Sequence, residues 1–543
     1  MIKALLFAGA VAAVAACTPV DKVYRPLSYA EPDCPVLRQH PTALEAVDND
    51  EEKLPPSWMR CMGQIHVNPA PSASKPRLDR KNDYHLAYVE FGEDGRALLD
   101  RQREELLAHL ASQRRNYVIV YVHGWRHDAA LGDNDARRFR VLLSYARSFL
   151  HERCEKAGRY CHMSVTGVYV GWRGRSFVDC DQEDRGTLCD VAAAPTIWDR
   201  KAASDRIAKP VTAAIKDIEG ALALRTGDPF SGDRMLVLGH SFGGNVLAKG
   251  LKESFLDKVA GHRPGRPLAS PLGDLVVLFN PASEAENWTA IQRQVRERGE
   301  GREVFSARQK PVYLSLTSTC NWPEAVRDKD HDLHRDIACD RATGTLFPLH
   351  KALSLQFGRE QRTTIGQLDP ERGEDPVGTT HELDINPETP LTTAAETAAH
   401  DLDRSTSYRN AVTVQTSECL IADAWLTRAK ARAKAQQLGR NWDAGYGRRN
   451  ALAPINRTLR IGLDGQFRHG LYRGREEAVT TANDPFWNVR ALDSAVIGHT
   501  GFVNYPTWCA LNQLVLDDIT GDKPFPPRGT PSRAKPAPRV ALR

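Results

Sequence analysis

The chain has 543 residues, enough to bury a sizeable core, either as several domains or as one α/β unit enlarged by insertions. Its 73 lysines and arginines are nearly balanced by 68 acids, for a net charge of +5. No basic strip interleaved with aromatics occurs, which argues against nucleic acid as a partner.

At the start, Met1-Ile2-Lys3 places a positive charge ahead of the apolar stretch Ala4 to Ala16. That stretch is too short to cross a bilayer as a helix, so residues 1–16 read as a secretory signal. Val14-Ala15-Ala16-Cys17 resembles the lipobox of bacterial lipoproteins. The resemblance implies cleavage before Cys17, acylation of its thiol and attachment of the chain to the cell envelope. Thr18 follows the cysteine where an aspartate would resemble an inner-membrane retention signal, which favours the outer membrane.

Setting Cys17 aside leaves ten of the 11 cysteines, an even number in an exported chain, and there is no Cys-x-x-Cys. Disulfides are therefore expected rather than metal or redox chemistry. Neighbours in sequence give the candidate pairs Cys34 with Cys61, Cys154 with Cys161, Cys180 with Cys189, Cys320 with Cys339, and Cys419 with Cys509, a connectivity that sequence alone leaves open.

Residues 17–84 are rich in prolines and acids with little periodicity and read as a tether and irregular extension. A core is expected over 85–356. Its first helix runs from about Ala97 to Ser112, with a stripe of leucines at positions 98, 99, 106, 107 and 110. Tyr117 to Val122 is a continuous β-branched and aromatic run, the mark of a strand buried on both faces. Further strands are expected at Ser164 to Trp172, Met235 to Gly239, Leu275 to Phe279 and Val312 to Thr317. Helices between them fall at about Arg137 to Leu150, Lys209 to Leu224, Asn245 to Ser254 and Ala285 to Arg298. The alternation predicts an α/β fold with a doubly wound, mostly parallel sheet.

Residues 357–483 turn polar and read as an insertion ahead of the last strand, a lid, a specificity cap or an inert elaboration. Residues 484–522 resume the core, with strand segments at Pro485 to Leu492 and Ser494 to Ile497, then an amphipathic stretch from Phe502 to Leu516. Residues 523–543, rich in proline and arginine, are expected to be a disordered tail.

The chemistry concentrates at Gly239-His240-Ser241-Phe242-Gly243. An apolar strand before it and a small-residue helix start after it make a Gly-x-Ser-x-Gly nucleophile elbow, with Ser241 as the nucleophile. With Val-His-Gly-Trp at 122–125, Leu-Phe-Asn-Pro-Ala at 278–282 and Ile-Gly-His at 497–499, this segment resembles the α/β-hydrolase superfamily, particularly bacterial esterase-like lipoproteins.

The resemblance implies that Trp125 and Phe242 supply the oxyanion N–H groups and that His499 is the base. It implies a structural role for His123; His127 and Asp128 read as solvent-facing loop residues. The expected activity is hydrolysis of an acyl ester by a Ser-His-acid triad, with no cofactor, no metal and no partner protein inferable. The alternative is a non-catalytic envelope lipoprotein using the fold for binding or scaffolding.

The acid is the open position, because the family's usual sites carry amides here, Asn280 and Asn321. Cutting out a loop closed by Cys320 and Cys339 would run Thr319 into Asp340-Arg341-Ala342-Thr343, which resembles the family's Asp-x-Ala-Thr segment. Asp340 is therefore the candidate acid, with Glu324 and Glu284 as alternatives. His331 and His334 match no established zinc spacing and are read as a hydrated loop.

Overall fold

Ten runs of chain hydrogen-bond into one sheet whose strand order is β1-β2-β4-β3-β5-β6-β7-β10-β8-β9. The computed structural model describes residues 21–30, 60–66, 84–130, 133–157, 163–175, 196–226, 232–299, 305, 309, 311–318, 351, 354, 356–366, 381–383, 459–461, 484–491, 499 and 505–516. The strands are β1 (Gly63–His66), β2 (Tyr84–Phe91), β3 (Asn116–Val122), β4 (Ser164–Trp172), β5 (Arg234–His240), β6 (Leu275–Phe279), β7 (Tyr313–Ser318), β8 (His381–Leu383), β9 (Leu459–Ile461) and β10 (Phe486–Ala491). From β2 to β8 every neighbouring pair is parallel, while β1 and β9 close the two edges antiparallel.

The central strands are apolar throughout because both of their faces are covered. On β3, Tyr117, Ile119 and Tyr121 enter one core and Val118, Val120 and Val122 the other, the period of two that a pleated strand imposes. The first core is roofed by α2 (Asn134–Ala157) and α7 (Tyr505–Leu516), through Phe139, Leu143 and Trp508 among others. The second is roofed by α1 (Asp100–Ser112), α3 (Thr196–Thr226), α4 (Phe242–Ala260) and α5 (Glu286–Gly299). Helices on both faces make the sheet doubly wound. A further short helix, α6 (Arg359–Arg362), follows β7.

The order of strands fixes where a site can form. From β3 the chain passes to β4 on one side, then returns to place β5, β6 and β7 on the other. The crevice outside the carboxyl ends of β3 and β5 is thus a topological switch point, where loops diverge and leave room for a ligand.

Three expectations change. The extension over 17–84 is not simply a tether where it is described: β1 joins the sheet, Leu27 bridges to the buried, disulfide-bonded Cys61, and Arg25 lies buried against the domain. The Arg25 guanidinium donates to the Ala129 carbonyl at 2.9 Å and stacks 4.0 Å over the Tyr88 ring, while the Tyr24 and Arg25 N–H groups both bind the Glu90 carboxylate. The helix expected from Lys209 begins at Thr196 and carries Pro210 within it. Finally, the 357–483 insertion is built into the sheet in part, since β8 and β9 extend its edge beyond β10.

The signal stretch, Cys17, Cys34, Cys161, Cys180, Cys189, Cys320, Cys339, Cys419, the strand segment at 494–497 and the tail at 523–543 lie outside the described residues, as do the side chains of Cys154 and Cys509. Among the described residues no helix is long and apolar enough to cross a membrane.

Candidate active site

Strand β5 delivers Ser241 to the switch point in a conformation that L-residues rarely adopt, with φ 55° and ψ −117°. Strain of this kind costs on the order of 1–3 kcal/mol and persists only where its surroundings enforce it. Here the Ser241 N–H donates to the Phe279 carbonyl at 3.0 Å, and the Ser241 carbonyl accepts from Ala282 at 3.0 Å and Asn245 at 3.1 Å. Gly243 has no room for a side chain, because a Cβ there would run into the Val122 carbonyl. The turn is pressed against the end of β3, and the serine is thrust over the sheet edge.

The loop after β3 borders the serine. A Cβ on Gly124 would lie 2.7 Å from Ser241 Cβ and 3.3 Å from its Oγ. Trp125 follows, its indole N–H donating to Thr196 Oγ1 at 3.3 Å and so tying the loop to the start of α3. Phe242 opens α4, whose first N–H groups have no carbonyl one turn back to bind.

His123 is consumed by structure. Its Nε2 accepts the Trp172 N–H at 3.0 Å, its Nδ1 donates to the Gly124 carbonyl at 2.9 Å, and its ring stacks on Trp172 and Tyr169. Burial pulls its pKa down to about 4, so it is neutral.

His499 lies beside the elbow. Its carbonyl oxygen accepts from His240 Nε2 at 2.9 Å and from Asn280 Nδ2 at 2.8 Å, one donor adjoining Ser241 in sequence and the other at the end of β6. The His499 and His240 rings lie 4.8 Å apart. Burial first, and then the His240 charge, draws the His499 pKa down to about 3.

Asn280 stands where the sequence resemblance leads one to expect an acid, but it is committed elsewhere. With φ 40° its backbone is itself unusual, and its Oδ1 accepts the Ser318 N–H at 2.8 Å. Of the three candidate acids, Asp340 and Glu324 lie outside the described residues, as do Asn321, His331 and His334. Glu284 is described and buried, and its carboxylate is bound by Lys201 at 3.1 Å and Lys351 at 3.3 Å. Burial works to raise its pKa, but Lys201 outweighs that and holds it below the usual range.

Of the two residues that sequence reasoning assigned to solvent, Asp128 is buried and His127 half-buried, and this is a correction. His127 binds Asp133 through Nδ1 at 3.2 Å and faces Asp135 through Nε2 at 3.5 Å. Arg175, arriving from the segment after β4, clamps Asp133 at 2.7 Å. Asp135, at the start of α2, accepts from Tyr121 Oη at 2.8 Å and Arg138 at 3.2 Å and faces His240 Nδ1 at 3.5 Å. The Asp-x-Asp pair at 133 and 135, one residue before a helix and within it, was the only signal for this network in sequence. Its histidine and arginine partners come from separate loops.

Among the described residues no group of three or more His, Cys, Asp or Glu side chains could hold a metal ion. No protein-family model matches the chain, and no curated protein matches it either.

Proposed function

We propose that the protein is a serine hydrolase of the α/β-hydrolase type that cleaves an acyl ester and works from the cell envelope through an acylated Cys17. The observation that carries this reading is the strained Ser241 at the switch point, with Gly124 against it and the His499 main chain gripped by His240 and Asn280. Strain of this kind is found at functional sites, and here it aims a hydroxyl at the switch point.

In the proposed reaction the neutral His499 ring accepts the Ser241 proton as Oγ attacks the acyl carbonyl. The Trp125 and Phe242 N–H groups receive the oxyanion, a contribution of several kcal/mol in comparable sites. His499 then protonates the leaving alcohol and activates the water that releases the acid. Asp340 stabilises the imidazolium, returned to the sheet edge by a Cys320–Cys339 bridge, since bridged α-carbons lie only about 4.4–6.8 Å apart. A fluorophosphonate probe tests the proposal: an adduct on Ser241 of the oxidised protein is expected, and its absence would overturn the reading.

The commitment of Asn280 to main-chain groups favours a second reading, in which the fold serves as a non-catalytic binding module. That reading predicts no turnover of short-chain nitrophenyl esters and no effect of Asp340→Ala on any such turnover.

A further inference from the structure

Arg173 follows β4 directly and lies at the sheet rim that carries Ser241. Its Nη1 pairs with Glu93 Oε1 at 3.0 Å. That carboxylate is already shared, since Arg200 Nη1 binds the same oxygen at 2.6 Å and Arg206 Nη2 lies 3.6 Å from the other. Arg200 is engaged further by Asp199 and by the Arg173 carbonyl, the latter at 2.9 Å. Arg173 differs: its Nε and Nη2 atoms are buried, and among the described residues neither has a hydrogen-bond partner. Donors buried in this way are costly unless something accepts from them.

Nε and Nη2 make up one edge of the planar guanidinium, the fork that meets two oxygens of a carboxylate or phosphate at once. The side chain is 18% exposed, so the cluster opens at the molecular surface. Gly174, next in the chain, is locked to the loop after β3, accepting the Arg126 N–H at 2.7 Å and donating to the His127 carbonyl at 3.0 Å. A Cβ on Gly174 would lie 2.5 Å from the Gly124 carbonyl oxygen, and one on Gly124 2.7 Å from Ser241 Cβ. Close backbone packing thus links Arg173 to the candidate nucleophile. In the strand order β4-β3-β5, two spacings, about 10 Å, separate the ends that bear them.

We propose that the Nε–Nη2 edge of Arg173 is an oxyanion subsite, and that the ester cleaved at Ser241 carries a carboxylate or phosphate that this edge holds. The substrate half of the proposal rests on the hydrolase reading above; the subsite itself does not.

Two matched pairs of esters test it in the full oxidised chain: the 4-nitrophenyl monoester of adipate against 4-nitrophenyl hexanoate, and dihexanoyl phosphatidate against dihexanoylglycerol. Within each pair only the anionic group differs, so the ratio of kcat/KM values cancels any general damage a substitution does. At least one ratio is expected to favour the anionic ester by about tenfold or more, mainly through KM. The first pair reports a carboxylate, the second a phosphate. Arg173→Lys keeps a cation for Glu93 but loses the fork, and it should lower the favoured ratio by about tenfold. Binding is read separately, by calorimetric titration of adipate and of inorganic phosphate into Ser241→Ala. One of the two should bind, and adding Arg173→Lys should weaken it by about tenfold.

In an active protein, ratios near one in both pairs, or ratios that Arg173→Lys leaves unmoved, overturn the proposal while the hydrolase reading stands. A chain that neither labels at Ser241 nor turns over any ester, yet binds adipate or phosphate through Arg173, overturns the hydrolase reading and leaves the subsite standing. If neither anion binds to such an inactive chain, both fall.

Discussion

Asn280 donates its amide to the His499 carbonyl at 2.8 Å while its own Oδ1 takes the Ser318 N–H at 2.8 Å, so one side chain pins the ends of β6 and β7 to the main chain at His499. A carboxylate in its place would keep the Ser318 bond but set an anion against the His499 carbonyl. Asn280→Asp should therefore lower kcat, by about tenfold or more, rather than repair a missing acid. Asn280→Ala should also lower stability by about 1–3 kcal/mol through the loss of two buried hydrogen bonds. Esterase kinetics and urea unfolding check both.

The elbow separates chemistry from stability. Ser241→Ala should abolish fluorophosphonate labelling and cut kcat by on the order of a million-fold, as for loss of a triad nucleophile elsewhere, with Tm nearly unchanged. Gly124→Ala puts a methyl group 2.7 Å from Ser241 Cβ. It should depress kcat far more than KM, and circular dichroism should show the fold retained.

The candidate acids differ in what holds them. Glu284 is bound by two lysines, so Glu284→Gln should lower Tm by removing one of the two carboxylates, Glu284 and Asp205, that hold the buried Lys201, with kcat within a few-fold of the parent. Asp340→Asn should lower kcat by about ten-thousandfold if it orients His499. Replacing Cys320 and Cys339 together with serine should mimic part of that loss. Equal kcat in all three proteins would remove Asp340 from the triad.

The buried network fixes the pH range of stability. Burial works to raise Asp133 and Asp135, but His127 with Arg175 outweighs it at Asp133, leaving about 2, and His127, His240 and Arg138 hold Asp135 well below the usual range. Folded values below the unfolded value of about 3.9 mean stabilisation that is complete above that pH and lost as the pH falls toward about 2. His127 runs the other way. Burial opposes its charge, but Asp135 and Asp133 raise its pKa, so its contribution is complete below about pH 6.5 and fades as the pH rises through the folded value. Thermal unfolding from pH 3 to 9 should show a plateau on the acid side of neutrality, and Asp133→Asn should flatten the acid edge.

What sequence revealed follows from what is local. Runs such as Tyr117 to Val122 and Leu275 to Phe279 are apolar without interruption, and they form central strands. Strand β2 escaped notice because it contains His85 and Glu90, and Glu90 is accommodated only by Tyr24 and Arg25, 65 or more residues away, and by Gln102. The helix expected from Lys209 starts a full 13 residues earlier, at Thr196, and α3 runs through Pro210, a residue better suited to a first turn. Ser241 and its flanking glycines were legible because a tight turn writes its demands into adjacent residues. Asp128 and His127 were not, since their burial depends on Arg175 and on Asp133 across a loop.

The N-terminal segment carries a mechanical consequence. Asp21 accepts the Glu93 N–H at 3.1 Å, at the carboxyl end of β2, and Glu93 in turn binds Arg173 and Arg200. Three strand spacings, about 14 Å, separate β2 from β5 along that rim. Cys17 precedes Asp21 by four residues, which reach at most about 14 Å. An acyl chain on Cys17 would thus moor the molecule by the same rim of the sheet at which Ser241 sits, setting the switch-point crevice close to the lipid headgroups.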